Sequence, residues 1–432
     1  MTAALAAFGT GCTQQRAERP GWFTNEAYFN EKNGMYEELP IAPKNIVMVG
    51  DDYIDRGLWN EFYGDTTIKN RGITYDATEH VLYRIGRIAA YKPAKIFVSV
   101  GYNDLLHGTP EKEIVANIEK VFSVARKASP KTKLYWINIV LAPLESEQAE
   151  IGGRVNEAVK KLAAKSAFTY VDLDAALRDG VVSGAFSWDE GKFLNGAGYA
   201  AFAKALESYV GKPALNQPDD KDYPLEVSDY YKHRVSVFRS LPATRGKIVM
   251  LGNSLNNNAP WEELFPMGYV INRGISGDVI DGVHQRIDEL AGEWPDKIFL
   301  LTGTNDFINE PDVQVSEVWN RYESLLADLR KQFPAALIYV QSILPLNPKS
   351  KFYPGFNEKA AEVNKLLSAA QDRYYYFYLD VASLLTDENG DLREDCTTDG
   401  IHLSALGYYI WAGYLAKGNR MMVEQSILNK LN

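Results

Sequence analysis

The sequence predicts an α/β protein made of two similar domains in tandem, each built around a central parallel sheet. Two observations predict this fold class. Short apolar runs rich in β-branched residues alternate along the chain with longer stretches of helical period. The second half of the chain also repeats the first, so the same fold is expected twice.

The internal repeat is visible when the chain is compared with itself at a shift of 202 positions. Residues 44–50, KNIVMVG, match residues 246–252, GKIVMLG, and the segment NRGI occurs at both 70–73 and 272–275. Further along the chain the shift grows to 209, which places an insertion near residues 349–356. Matches at one shift over so long a segment indicate a tandem duplication.

The repeat divides the chain into three parts. We expect a signal-like tail at residues 1–19, a first copy at 20–215 and a second copy at 216–432. Residues 211–224, rich in proline and aspartate, are interpreted as the joint between the copies. Each copy begins with a tyrosine-rich amphipathic stretch, at residues 22–36 and 223–241.

The secondary structure is read most easily in the second copy. Apolar runs predict strands at residues 248–251, 297–302, 337–342 and 375–380. Helical periodicity between and after them predicts helices at residues 279–290, 313–333, 356–372 and 405–416. Strands that are apolar on both faces and separated by helices indicate a parallel sheet covered on both sides. In such sheets ligand chemistry lies beyond the carboxyl ends of the strands.

Composition excludes several classes of function. The 432-residue chain has a formal net charge of −10, whereas a protein that tracks nucleic-acid phosphates needs a basic face. Its only cysteines, Cys12 and Cys396, are too far apart in sequence to suggest a disulfide framework or a zinc site. No apolar run approaches the roughly 18 residues of a membrane-spanning helix. We therefore expect no nucleic-acid partner and no cofactor.

The amino terminus has the pattern of a bacterial lipoprotein signal. Residues 1–12 are small and apolar and end in Gly-Thr-Gly-Cys12, before a polar segment begins. This pattern predicts export and attachment of a lipid to Cys12, which would hold the protein on a membrane in the periplasm or at the cell surface. Basic residues before the apolar run and an aliphatic residue at position 9, both usual in such signals, are missing.

The second copy contains candidates for a nucleophilic site. Ser254 follows a predicted strand almost directly, so its hydroxyl is expected at the strand's carboxyl end, where a serine can also serve only as a helix cap. Asp399 and His402 are three residues apart and can point toward one place. His402 would accept the Ser254 proton through one ring nitrogen while the other donates to Asp399.

Ester chemistry also needs hydrogen-bond donors for the negative oxygen of the tetrahedral intermediate. Two further segments at strand ends supply candidates, the backbone amide at Gly277 and the side-chain amide of Asn305. With the Ser254 amide they would form an oxyanion hole of three donors. The alternative for each residue is an ordinary role in a turn.

These blocks in this order resemble the SGNH or GDSL hydrolase family. The segments NRGISGD and GTND are most similar to the branch related to platelet-activating-factor acetylhydrolase. The resemblance implies a flavodoxin-like three-layer α/β/α fold for each copy and a cofactor-free esterase. Asn253 stands where many family members have aspartate.

The expected activity is hydrolysis of short-chain esters, above all acetyl esters of carbohydrate, by a serine esterase. Two other functions stay open. One is a lysophospholipase or thioesterase acting on lipid acyl esters, and the other is a noncatalytic glycan-binding surface protein. Trp261 and Phe265, close after the nucleophile, are candidates to line an acyl or sugar pocket. The oligomeric state is not predicted.

The first copy has lost nearly all of these residues. In the same alignment its counterparts of Ser254, Gly277, Asp399 and His402 are Asp52, Tyr75, Glu190 and Phe193, and only Asn103 matches Asn305. Without a histidine to move the proton, we expect this copy to be noncatalytic. A cluster of acidic and aromatic residues would suit a hydroxyl-rich ligand, or is simply solvated surface: Asp51, Asp52, Asp55, Trp59 and Tyr75.

Overall fold

The structure is a computed structural model that describes residues 19–216, 218, 227–243, 245–266 and 270–419. The expected lipidation site, Cys12, lies outside the described residues. The strands are β1 Ile46–Gly50, β2 Ile68–Gly72, β3 Lys95–Ser99, β4 Lys133–Ile137, β5 Thr169–Val171, β6 Ile248–Gly252, β7 Val270–Gly274, β8 Lys297–Leu301, β9 Leu337–Gln341 and β10 Phe377–Leu379. None of the helices in the described ranges has both the length and the apolar character needed to cross a membrane.

The helices of the first half are α1 Glu26–Glu38, α2 Asp52–Asp55, α3 Trp59–Tyr63, α4 Thr78–Ala90, α5 Tyr102–Leu106, α6 Glu111–Ala128, α7 Ser146–Ala163, α8 Leu173–Val182, α9 Gly196–Ala205 and α10 Glu207–Val210. Those of the second half are α11 Asp229–Ser240, α12 Ser254–Asn257, α13 Trp261–Leu264, α14 Ile280–Gln285, α15 Thr304–Asn309, α16 Val315–Gln332, α17 Phe356–Ala369, α18 Gln371–Tyr374, α19 Ala382–Leu385 and α20 Ala405–Asn419. Short 3₁₀ helices occur at Ile287–Glu293 and Glu394–Cys396.

Two five-stranded parallel sheets form the centre of the molecule, and both have the same strand order. The first runs β2-β1-β3-β4-β5 and the second β7-β6-β8-β9-β10. This confirms the predicted fold class, two tandem α/β units with parallel sheets. Strand β7 was missed, because polar Asn272 and Arg273 interrupt its apolar pattern. The predicted helix at 279–290 is a short α-helix followed by a 3₁₀ helix.

Each sheet is buried on both faces, as its apolar strands predict. In β6, Val249 and Leu251 pack into one core cluster and Met250 into the cluster on the opposite face. Burying a side chain of this size stabilises the fold by about 1.5 to 3 kcal/mol. Helices supply the other half of each core, for example α16 on the Val249 side and α20 on the Met250 side.

The helix that begins each copy in sequence packs on the core of the other copy. Met35 and Leu39, at the end of α1, are fully buried in the second copy's core beside α20. Conversely Val235 and Phe238 of α11 are buried in the first copy's core, against α9. This reciprocal packing joins the two copies through apolar contacts in addition to the linker between them.

Two ion pairs across the interface repeat the same symmetry. Arg71 of the first copy binds Glu263 of the second at 2.6 Å, and Arg273 binds Glu61 at 2.9 Å. The shift of 202 that relates the copies converts one pair into the other. The two copies therefore face each other in a two-fold-like arrangement, in which equivalent surfaces meet.

Candidate active site

A cleft of about 490 Å³ lies at the carboxyl ends of the second sheet, and both copies line it. The second copy contributes the predicted site residues Ser254, Gly277, Asn305 and His402. The opposite wall comes from the first copy and α11 and includes Tyr28, Lys32, Arg56, Tyr75, Phe193 and Tyr230. The part of the chain that the structure describes holds no group of three or more His, Cys, Asp or Glu side chains suited to a metal ion.

The three predicted catalytic side chains lie in one hydrogen-bonded row. His402 Nε2 is 3.0 Å from Ser254 Oγ, and His402 Nδ1 is 2.7 Å from Asp399 Oδ2. The other Asp399 oxygen accepts the backbone N–H groups of Ile401 and His402. These contacts fix the imidazole so that Nδ1 faces the carboxylate and Nε2 faces the hydroxyl, the arrangement a general base needs.

The turn that presents Ser254 depends on Gly252. Its φ is +153°, and a Cβ atom there would lie 1.8 Å from the carbonyl oxygen of Leu301 in the neighbouring strand. Only glycine fits so close to the next strand. Asn253 then caps the following helix by accepting a hydrogen bond from the Leu255 N–H, which leaves Ser254 at the first position of α12, where the residue is 9% exposed.

The loop that carries Gly277 is held by a buried ion pair. Arg286 donates to the Asp278 carboxylate at 2.8 Å and to the carbonyl of Gly252, next to the nucleophile turn. Asn305 donates one side-chain N–H to the Asp278 carbonyl at 2.8 Å and leaves the other without an acceptor among the described residues. Gly277 has a φ of +81°, in the left-handed region that favours glycine.

In the first copy, the equivalents of the Gly277 and Asn305 donors both bind one carboxylate oxygen. Tyr75 keeps the backbone of Gly277, with a φ of +70°, and its N–H donates to Asp52 Oδ2 at 3.0 Å. Asn103, the equivalent of Asn305, donates to the same oxygen at 2.9 Å. A carboxylate oxygen thus occupies the place between two donors whose counterparts in the second copy face the cleft. Arg56 completes the neutralisation of Asp52.

The electrostatics of the row favour a charged Asp399 beside a basic His402. Burial alone would raise the pKa of Asp399, but the hydrogen bond and charge of His402 lower it to about 2. Burial alone would lower the pKa of His402, yet the bond to Asp399 and the charges of Glu31 and Asp399 raise it above its ordinary value. Such a pair stabilises the imidazolium that proton transfer from serine creates.

Sequence comparison identifies the family of this chain. The model of the GDSL-like lipase/acylhydrolase family matches residues 49–201 and again residues 244–410. The chain belongs to this family. The double match agrees with two copies of one fold, and the family's acylhydrolase chemistry agrees with the site of the second copy.

Individual relatives each cover about one copy. Platelet-activating factor acetylhydrolase IB subunit alpha2 of Rattus norvegicus is 26% identical over 46% of this chain and 89% of its own length. A solved structure from Streptococcus pneumonia, assigned as a platelet activating factor, is 30% identical over 43% of this chain and 89% of that one, with a TM-score of 0.38. A GDSL-like lipase from Bacteroides thetaiotaomicron is 21% identical over 46% and 98%, with a TM-score of 0.38.

Sequence reasoning missed two residues that α1 brings to the GDSL-like site. Glu31 is 1% exposed and accepts hydrogen bonds from Asn258 at 3.0 Å and Tyr408 at 3.2 Å. Lys32 donates to the carbonyl of Asn258 and pairs with Asp55, each at 3.2 Å. Two adjacent charges on the apolar face of α1 were the available signal, but nothing in the sequence shows which copy that face covers.

Several residues that the sequence suggested as lining a binding pocket lie elsewhere in the structure. Trp261 and Phe265 do not line the cleft, because both are buried in the core, where their rings lie parallel. Trp59 is likewise a core residue whose indole N–H binds the Ile54 carbonyl. Asp55 lines the cleft of the second copy rather than a cavity of the first.

Proposed function

We propose that the second copy hydrolyses short-chain esters, in particular acetyl esters of carbohydrates, with Ser254 as nucleophile. The observation that carries the proposal is the position of His402, within hydrogen-bond distance of both Ser254 and Asp399. The triad in turn opens into a cleft large enough for a sugar ester.

In the first half of the reaction Ser254 Oγ attacks the ester carbonyl while His402 Nε2 takes its proton. The carbonyl oxygen becomes negative and is held by the N–H groups of Ser254 and Gly277 and by the Asn305 side chain. His402 then donates its proton to the leaving alcohol, which departs and leaves an acetyl group on Ser254. In the second half His402 activates a water molecule, which releases acetate and restores the serine.

The polarity of the cleft supports a small acyl group on a hydroxyl-rich alcohol. Asn257, Asn258, Asn272 and Glu262 line it, together with Lys32 from the first copy. Such groups hydrogen-bond sugar hydroxyls, whereas a long acyl chain needs a continuous apolar groove. The acetylhydrolase name of the mammalian relatives supports the same acyl preference.

One observation favours a second candidate, a lipid acyl hydrolase. Ile308, Phe352 and Ile401 form an apolar side of the cleft near His402. They suffice to contact an acetyl methyl group, and they would also be the start of a path for a longer chain.

Chain-length dependence separates these functions. We expect kcat/KM for 4-nitrophenyl esters to be highest for acetate and to fall steadily toward the palmitate ester, and we expect release of acetate from O-acetylated oligosaccharides. A preference for long chains would favour the lipid acyl hydrolase instead. Wild-type protein that cleaves none of these esters would leave a glycan-binding protein as the remaining function.

Replacing Asn305 with alanine is expected to lower kcat by about 10²- to 10³-fold, because one oxyanion donor is lost. KM should change little, since the donor acts mainly on the transition state. Steady-state kinetics with 4-nitrophenyl acetate measure both constants. The matched control is Asn103→Ala, which removes the equivalent side chain of the first copy. Equal losses in both variants would contradict the assignment.

Replacing Glu31 with glutamine is expected to shift the pH dependence of kcat/KM. His402 acts as a base only when neutral, so the rate rises with pH through its pKa, which the Glu31 charge helps to raise. Removing this charge lowers the pKa of His402, and the rising limb should move to lower pH by on the order of half a unit to one unit. Burial raises the pKa of Glu31 itself to about 7, so the variant should also lose one ionisation from the profile.

The control for this experiment is Glu37→Gln, the same change on the same helix at a residue that pairs with Arg87 away from the cleft. Its profile should coincide with the wild type. A limb that stays in place in Glu31→Gln, or moves to higher pH, would exclude an influence of Glu31 on His402.

We also propose that the protein is exported and carries a lipid on Cys12. The support is the small, apolar segment that ends at this cysteine. Expressed in a bacterium with radiolabelled palmitate, the wild type should be labelled and enter the detergent phase, and Cys12→Ala should do neither. Cys396→Ala, which alters a buried thiol, serves as the control. Label retained by Cys12→Ala would refute the proposal.

A further inference from the structure

A second cavity, of about 450 Å³, lies at the carboxyl ends of the first sheet. It occupies in the first copy the place that the catalytic cleft occupies in the second. Its lining includes acidic, amide and aromatic side chains, among them Asp51, Tyr75, Tyr102, Asn138, Glu190 and Phe193. The copy that lost its catalytic residues has therefore kept an open cavity.

In the first copy, the residues at the positions of the nucleophile and the general base cannot perform the same reaction. Asp52 is held by Tyr75, Asn103 and Arg56, so its carboxylate fills the space that a substrate oxygen would need. Phe193 stands in place of a histidine. The row of serine, histidine and aspartate found in the second copy therefore has no counterpart at the equivalent positions here, and we look for a role of this cavity in binding.

Asp51, beside the closed Asp52, remains available for a ligand. It lines the cavity and is 5% exposed, and its carboxyl group is hydrogen-bonded to its own backbone N–H, which leaves further hydrogen-bonding capacity on its two oxygens. Burial and the neighbouring carboxylates of Asp52, Asp76 and Asp104 raise its pKa well above the ordinary value. In its protonated form a carboxyl group with a raised pKa both donates and accepts hydrogen bonds, as a sugar hydroxyl does.

Other groups around the cavity have the same character. The Tyr102 hydroxyl and the Glu190 carboxylate make no hydrogen bond to other described side chains, and Tyr75 is 40% exposed. Flat rings beside free hydroxyl and carboxyl groups suit the apolar faces and the hydroxyls of sugars. With Asp52 paired to Arg56, the side chains Asp189 and Glu190 face a single further lysine, Lys192, and this acidic balance disfavours phosphorylated or other anionic ligands.

The cavity and the catalytic cleft are separated by a single layer of side chains. Arg56, Tyr75 and Phe193 line both spaces, and the Arg56 guanidinium stacks on the Phe193 ring at 4.3 Å. The Tyr75 ring, exposed at this wall, borders both spaces. A chain of sugar units whose ester lies at Ser254 therefore has a second binding region one side chain away.

The geometry points to a noncatalytic subsite: the cavity of the first copy binds sugar units of the same neutral, O-acetylated oligosaccharide that is hydrolysed at Ser254. This inference rests on the proposed function for the identity of the ligand. It also gives the degenerate copy a role in substrate binding, which adds affinity for long substrates without adding a second reaction.

The test compares two substrates in the full-length protein. We would measure kcat/KM for 4-nitrophenyl acetate, which reaches only the catalytic cleft, and for the acetylated tetrasaccharide cleaved fastest among cello-, xylo- and manno-oligosaccharides. Tyr102→Ala removes a group found only in the second cavity. We expect it to lower the ratio of tetrasaccharide to 4-nitrophenyl acetate kcat/KM about tenfold, through KM, with no such change for the corresponding acetylated monosaccharide.

The control is Tyr375→Ala, at an exposed tyrosine outside both cavities, which should leave the ratio as in the wild type. Thermal unfolding of each variant checks that the fold is intact. An unchanged ratio in both Tyr102→Ala and Asp51→Leu, or a wild-type enzyme that cleaves the monosaccharide as well as the tetrasaccharide, would overturn the subsite.

A binding measurement keeps failure of the subsite distinct from failure of the proposed function. Calorimetric titration of Ser254→Ala with the deacetylated tetrasaccharides should show binding that weakens about tenfold on adding Tyr102→Ala. Hydrolysis of acetyl esters without such binding would overturn the subsite and leave the esterase in place. Binding without any hydrolysis would overturn the esterase and leave a glycan site in the first copy.

Discussion

Alanine in place of Ser254 is expected to reduce kcat for 4-nitrophenyl acetate by roughly four to six orders of magnitude, to the level left by the oxyanion donors and substrate binding alone. The reason is the single row from Ser254 through His402 to Asp399, in which the hydroxyl is the only group placed to attack. The side chain is small and lies at the cleft, so the thermal unfolding of the variant should match that of the wild type.

The matched control is Asp52→Ala, the same position in the first copy. Asp52 lies at the end of an equivalent strand, but its carboxylate is engaged by the very donors that would hold an oxyanion. Its removal should leave turnover of 4-nitrophenyl acetate within about twofold of the wild type. An active Ser254→Ala variant, or a loss shared by both variants, would show that the reaction does not run through Ser254.

Much of the site was predictable because Ser254, Gly277 and Asn305 each follow a strand and the repeat shows where the strands end, whereas Asp399 and His402 were found from their motif. Ser254, Gly277 and Asn305 lie after β6, β7 and β8, and parallel strands bring such ends to one edge of a sheet. Strand β7 was not predicted, but the motif around Gly277 still indicated a turn at the end of a strand. Local sequence therefore carried most of the information about which side chains meet.

The contribution of the first copy was not predictable in the same way. Helix α1 buries Phe29, Met35 and Tyr36 together with two charged residues, and its sequence does not show which partner covers that face. Helices α1 and α11 each pack on the core of the other copy. This packing places Glu31 and Lys32 beside a site that is more than 200 positions away in sequence. Likewise the sequence shows only that Asp52 replaces the nucleophile, whereas the hydrogen bonds from Tyr75 and Asn103 show that its carboxylate occupies the position equivalent to the oxyanion hole.

The interface that creates this composite cleft depends on Glu263, and we expect Glu263→Ala to destabilise the protein by about 3 to 5 kcal/mol. Glu263 makes two hydrogen bonds to Arg71, a side chain that is itself fully buried. Removing the carboxylate leaves the guanidinium buried with Lys69 nearby and no negative partner in this pair. Because the two copies share their cores and should unfold together, scanning calorimetry should show a fall in Tm of about 3 to 6 °C for this 432-residue chain.

The pH dependence of this loss has a defined sign. Burial alone would raise the pKa of Glu263, but Arg71 and Lys69 lower it below its ordinary value. A carboxyl with a lowered pKa in the folded state adds stability above its unfolded pKa, and that stability is lost as the pH falls through the folded value. The difference in Tm between wild type and variant should therefore be largest near neutral pH and should shrink in acid.

Two comparisons decide whether the buried charge is the cause. Glu61→Ala breaks the symmetry-related pair, in which the side chain is 14% exposed against 3% for Glu263, so water can replace part of the interaction and the loss should be smaller. The double variant Arg71→Met, Glu263→Leu removes both charges and should recover much of the stability lost in Glu263→Ala. A double variant as unstable as the single one would mean that packing, and not the unpaired arginine, holds the two copies together at this point.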